Sequence, residues 1–138
     1  MKNLFIDTNI IIDIISYRLP FYTDSANILD YAAKGHVKLF MSALSYSNIY
    51  YVTKKTTSHQ ECIAIMKDLS SLITTIDVTK KIIDSSISSD FKDFEDAIQY
   101  FSAISKIEID AIITRNPKDF KLSEIPILHP KNVFIDVK

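Results

Sequence analysis

Short apolar runs alternate along the chain with longer stretches in which apolar residues recur every three or four positions. Asn3-Leu4-Phe5-Ile6 reads as a first buried strand, and Thr8 to about Ser16 as a helix capped by Thr8 or Asn9. Pro20 suits the first turn of a second helix with apolar residues Phe21, Ile28, Leu29 and Ala32, and Gly35 supplies its stop. Val37 to Met41 reads as a strand and Leu44 to about Lys55 as a helix. His59 to Leu69 is a second amphipathic stretch, through Cys62, Ile63 and Met66. Leu72 to Ile76 predicts a strand, Thr79 to Ile87 a short helix and Asp93 to Lys106 a longer one. Ala111 to Thr114 is a further strand, Asn116-Pro117 opens a helical turn, and Ile127-Leu128 is a short last strand. Strands alternating with helices predict an α/β fold with a parallel sheet covered on both faces. No repeat, low-complexity tract or linker interrupts the pattern, so residues 1–138 are expected to form one domain.

Three acids mark the ends or beginnings of these elements. Asp7 follows the first strand, Asp96 lies in the opening turn of the Asp93–Lys106 helix, and Asp119 lies just past the fourth strand. Each has a local explanation. Asp7 suits the positive end of a helix dipole. Asp93 fits as an N-cap with Asp96 at N3, and Asn116-Pro117 places Asp119 at N3 of the next turn. Joint placement argues for more, because the working crevice of an open α/β sheet lies outside the carboxyl ends of its strands. Three acids gathered there repel by roughly 3 kcal/mol per pair at ~5 Å and an effective dielectric of ~20. A divalent cation relieves that repulsion most simply. Asp13, two turns into its helix, reads instead as solvated or salt-bridged.

Composition removes several alternatives. The 138 residues are 47% hydrophobic and 24% charged, ordinary for a folded globular protein. A formal charge of −1 offers no general attraction to a polyanion, so any such ligand needs a local basic patch or a bound metal. The single cysteine, Cys62, rules out an internal disulfide and reads as a small buried hydrophobe. The single glycine, Gly35, rules out a glycine-rich phosphate loop. Asp7 and Asp13 break the apolar N-terminus, no membrane-length run follows, and a reducing cytoplasm is the expected setting.

Phe5-Ile6-Asp7-Thr8-Asn9, then Asp96-Ala97, then Thr114-Arg115-Asn116-Pro117-Lys118-Asp119-Phe120 resemble the three acidic motifs of PIN-domain nucleases. The resemblance spans essentially the whole chain, and the last motif is its most specific part. Within that family the likeness is to small bacterial proteins of the VapC toxin type. The resemblance implies a three-layer α/β/α sandwich around a parallel sheet of four or five strands. It also implies a Mg²⁺- or Mn²⁺-dependent endoribonuclease acting as the toxin of a type II toxin–antitoxin pair, with an antitoxin partner and a homodimeric state. It carries Asp7, Asp96 and Asp119 over as metal-site acids and Thr114 and Asn116 as supporting polar groups. One departure stands out: the family's further glutamate, in the helix after the second strand, has no counterpart in Ser42 to Tyr51. Asn48 is the best positional match there; it offers a carbonyl oxygen but no charge. The alternative for Asn48 is a buried amide satisfied by backbone, on a face with Leu44, Tyr51 and Val52, and the site reading is preferred over it.

The chemistry is consistent with those residue types. Hydrolysis of a phosphodiester requires an activated water and a stabilised phosphate, which carboxylate-held Mg²⁺ supplies. All-oxygen donors suit Mg²⁺ or Mn²⁺, and His36, His59 and His129 are not at zinc-ligand spacing. Arg18, Lys54, Lys55, Arg115 and Lys118 are the cations expected near the carboxyl end for RNA phosphates. Tyr46, Tyr50 and Tyr51 can stack on bases, although their spacing favours core or interface. A haloacid-dehalogenase-type phosphotransferase needs a second aspartate two residues after Asp7, where this chain has Asn9. The remaining alternative is a PIN-like module that binds RNA or protein without cutting.

Overall fold

A computed structural model describes residues 1–133. The strands are β1 (Lys2–Ile6), β2 (Val37–Ser42), β3 (Ile73–Ile76), β4 (Ala111–Ile113) and β5 (Ile127–Leu128). The helices are α1 (Thr8–Ile15), α2 (Tyr22–Ala33), α3 (Ala43–Thr53), α4 (His59–Leu72), α5 (Lys80–Ile87) and α6 (Phe94–Ile104), with 3-10 turns at Pro117–Phe120 and Pro130–Asn132. All strand pairs are parallel and the order is β3-β2-β1-β4-β5.

Pleating explains why the strands are apolar on both faces. Leu4 and Ile6 of β1, Leu39 and Met41 of β2, and Ala111 and Ile113 of β4 enter one core with Ile10 and Ile11 of α1 and Ile28 of α2. The intervening Phe5, Phe40 and Ile112 enter a second core with Tyr100 and Ala103 of α6. Helices therefore cover both faces of the five-stranded sheet, which is the expected three-layer α/β/α arrangement.

Several helix starts are shifted slightly from the sequence expectation, α3 opening at Ala43 instead of Leu44, and two of the differences are informative. Pro20 lies outside α2, which begins at Tyr22, in a turn where the Tyr22 N–H donates to the Arg18 carbonyl (2.8 Å). At α1 the N-cap is Asp7, one residue earlier than expected, yet its side chain does not cap the helix. The stop at Gly35 is as expected. Its φ of +80° is the left-handed conformation that glycine adopts freely, and His36 and Gly35 N–H groups close a Schellman turn on Tyr31 and Ala32. Cys62 is buried on α4. Among the described residues no helix is long and apolar enough to cross a membrane.

The strand order places the site. From β1 the chain moves outward through β2 to β3, then returns to the other side of β1 with β4 and β5. The sheet changes direction between β1 and β4, and open α/β sheets form their crevice at the carboxyl end of such a switch point. Asp7 directly follows β1, and Thr114 directly follows β4.

Candidate active site

At the switch point the Asp7 N–H donates to the Ile113 carbonyl (2.9 Å), extending the β1–β4 pairing by one residue. Thr114, fully buried, donates from Oγ1 to Asp7 Oδ2 (3.0 Å) and accepts from the Asn116 N–H (3.1 Å). The Asp7 carboxylate is thus turned toward the next loop instead of capping α1. Burial pushes its pKa up to about 6. Hydrogen bonds from Thr114 and the Thr8 backbone oppose the rise, while Glu95 and Asp119 add to it.

Asp93 caps α6 by accepting the Asp96 N–H (2.9 Å), as the sequence pattern suggests. Asp96 is left with its carboxyl in the cleft. Its pKa is pushed up to about 7, by burial first and then by Asp93, Asp7, Asp119 and Glu95. Glu95 is raised as well, by burial and by Asp93.

Asp96 stands between two hollows of about 260 Å³ each. One is walled by Asp7, Thr8, Asn9, Asn48, Tyr51, Glu95 and Asp96, with Ile12 and Val52 beneath. The other is walled by Asp96, Asp119, Asp90 and Asp93 with Lys92, Lys118 and Lys121. Asp7 and Asp96 therefore share one hollow and Asp96 and Asp119 share the next. The Asn116 side chain lines neither; its part in the arrangement is the backbone N–H bonded to Thr114. The acids are spread along the cleft, and among the described residues no three His, Cys, Asp or Glu side chains are gathered closely enough to hold a metal ion.

Asn48 reaches the cleft from α3. Its Nδ2 donates to Glu95 Oε1 on α6 (2.9 Å), so its amide is satisfied by a side chain at an exposed rim rather than by buried backbone. Glu95 was absent from the sequence argument. The available signal was its adjacency to Asp96 at a helix start, where an acid already has the dipole as sufficient reason.

Beneath the acids a buried network holds the helices together. Thr8 Oγ1 and Ser45 Oγ lie 2.6 Å apart, and Gln99 Nε2 donates to both (3.0 and 3.2 Å). It joins α1, α3 and α6, the helices adjoining Asp7, Asn48 and Asp96.

The expected cations divide into two groups. Arg115 lies 2.9 Å from the fully buried Asp13 and over the Phe21 ring, with Arg18 3.8 Å from the same carboxylate. Arg115 and Arg18 are thus tied to a structural acid, and Asp13 is salt-bridged but not solvated. Neither Asp13 oxygen meets hydrogen-bond geometry, and burial raises its pKa against the pull of Arg115 and Arg18. Lys118 does reach the cleft, joined by Lys92 and Lys121, which the sequence did not single out. The tyrosines also separate: Tyr46 accepts from Thr75 and Tyr50 bonds to His59, whereas Tyr51 is 71% exposed at the acid-lined hollow with Lys55 against its ring.

Fold and site define an open parallel α/β protein whose switch-point cleft is walled by carboxylates. The chain belongs to the PIN domain family, which it matches over residues 3–118. It is 25% identical over 132 residues to Ribonuclease VapC1 of Aquifex aeolicus, covering 92% of this chain and 90% of that protein. Its fold is similar to a toxin–antitoxin complex chain from Klebsiella pneumoniae (TM-score 0.67, 24% identity, 92% and 97% of the two chains covered). It is also similar to a chain of DNA-bound VapBC from Salmonella typhimurium (TM-score 0.68, 14% identity, 94% and 99% covered).

Proposed function

We propose that this protein is a divalent-metal-dependent endoribonuclease and the toxin of a toxin–antitoxin pair. The observation that carries the reading is the buried Asp7 carboxylate, held by Thr114 at the switch point and sharing a hollow with Asp96. Family membership and the likeness to a ribonuclease support it. So do the likenesses to toxin–antitoxin chains, which make an antitoxin the expected partner. A homodimer is the expected state of the free protein.

The donor set fits a hard divalent cation. It consists of carboxylate and amide oxygens, and the raised pKa values of Asp7 and Asp96 are those of acids lacking a counter-charge. Asp7, Asp96 and Asp119 would hold Mg²⁺ or Mn²⁺, with Asn48 beside them, once the ion drew together carboxylates that here stand along the cleft without forming a three-acid cage. Bound there, the ion would lower the pKa of an attacking water and neutralise the phosphate. Thr114 orients Asp7 by donating to Oδ2, while the Asn116 N–H fixes Thr114. Lys92, Lys118 and Lys121 are placed to contact flanking RNA phosphates, and Tyr51 to stack on an unpaired base.

The test is RNA cleavage by the full chain with Mg²⁺, with Mn²⁺ and with chelator, alongside Asp96→Asn. Cleavage should require a divalent ion and fall ~100-fold or more in the variant. Equal cleavage by both proteins would remove the acids from the mechanism. RNA binding without cleavage in either ion would favour a non-catalytic binding module.

A further inference from the structure

Glu95 is not needed to cap α6. Asp93 already caps the helix through the Asp96 N–H. The helix dipole favours an acid at this position but does not require the acid to be held from another helix. It is nevertheless held: Asn48 on α3 donates to Glu95 Oε1 at 2.9 Å across 47 positions of sequence. Opposite a carboxylate only the NH₂ end of the amide can make this bond, which settles the side chain's orientation. Because the pair is exposed, the bond adds little to stability. Its main effect is to fix where one carboxylate points.

The surroundings give that carboxylate a purpose. Among the described residues, the hollow beside Asp7 is lined by three acids, Asp7, Glu95 and Asp96, and by no lysine or arginine. The cations that line the cleft among the described residues, Lys92, Lys118 and Lys121, are on the other side of Asp96, around Asp119. A hydrogen bond that restrains one carboxylate oxygen from a neighbouring helix is the kind of support that orients a metal-ligating carboxylate, although here the three acids are not drawn into a closed cage.

Resting on the proposed nuclease reading, we infer that Glu95, positioned by Asn48, is a fourth carboxylate for the divalent cation of this cleft. Here α6 supplies two acids and α3 supplies the amide that orients one of them. Asn48 is then a positioning residue.

Mn²⁺ titration of the full chain by calorimetry, without RNA, tests this. Glu95→Gln retains an oxygen to accept from Asn48 and removes only the charge; Mn²⁺ affinity should fall about tenfold or more. Asn48→Ala should cost on the order of tenfold by releasing Glu95. Glu108→Gln, which removes an exposed acid before β4 at the opposite end of the sheet, should bind as the native chain does. Moving the carboxylate across the bond, Asn48→Glu with Glu95→Gln, should recover much of the lost affinity, an effect a purely structural tie would not produce. Native affinity in Glu95→Gln, with binding lost in Asp7→Asn, would overturn the role of Glu95 and leave the nuclease reading standing. No Mn²⁺ binding by the native chain would overturn both.

Discussion

Asp7 and Asp96 connect site chemistry to stability at the level of single residues. Unfolded, each ionises near the ordinary 3.8; folded, they are pushed up to about 6 and about 7. A carboxyl with a raised folded pKa binds its proton more tightly in the native state. Its stabilising contribution is complete below about pH 4 and is lost as pH rises through about 6 to 7. In chelator, the native chain should therefore lose stability relative to Asp7→Asn between pH 4 and pH 7, by at most about 3 kcal/mol for this buried group. Thermal melts across that range check it, and a pH-independent difference between the two proteins would contradict it. Protons and metal compete for the same oxygens, so Mn²⁺ affinity should weaken as pH falls below about 7. Thr114→Val keeps the side-chain shape but removes the hydroxyl that orients Asp7. Cleavage should fall ~10–100-fold with the fold retained, as circular dichroism would show.

Elements are held in register by two polar clusters of different cost. The Asp13–Arg115 pair ties α1 to the loop after β4, and Asp13 is fully buried. Asp13→Asn leaves Arg115 largely buried beside a neutral group and should destabilise by ~3 kcal/mol, measured as a lowered urea midpoint. The Thr8–Ser45–Gln99 network is cheaper to disturb because Thr8 and Ser45 still bond each other when the amide is gone. Among the described residues the buried Gln99 Oε1 has no hydrogen-bond partner, which lowers the cost further. Gln99→Met should therefore cost only ~1 kcal/mol while loosening the approach of α1, α3 and α6. A fall in cleavage rate at nearly unchanged stability is the expected outcome.

At the scale of the whole molecule, charge decides how RNA is met. The chain carries −1 overall, and the hollow around Asp119 sets three lysines against four aspartates. Unaided attraction for a polyanion is therefore slight, and bound cation should raise RNA affinity by reversing the local sign. Lys118→Ala with Lys121→Ala should weaken binding to RNAs of different sequence alike. It should also reduce the salt slope of log K by about 1.4, as two lost phosphate contacts require for a single strand. Fluorescence titration with a catalytically silenced chain at several salt concentrations would show it; an unchanged slope would place the RNA elsewhere.

Periodicity carried most of the architecture. Alternating buried runs and amphipathic stretches were enough for element order and a parallel sheet, because backbone geometry imposes periods of two and 3.6 directly on the side chains. The three aspartates were legible for the same reason, since strand ends and helix starts can be read locally. The N-cap at Asp7 and the α2 start at Tyr22 were less so, because a cap's side chain can be drawn to a distant partner, as Asp7 is to Thr114, 107 positions away. Long-range placement also separated Arg115, drawn to Asp13, from Lys92 and Lys121, which line the cleft. Asn48 could be named from the sequence as an amide without charge. That it holds Glu95, an acid from a different helix, is a property of how α3 and α6 meet, which no local pattern encodes.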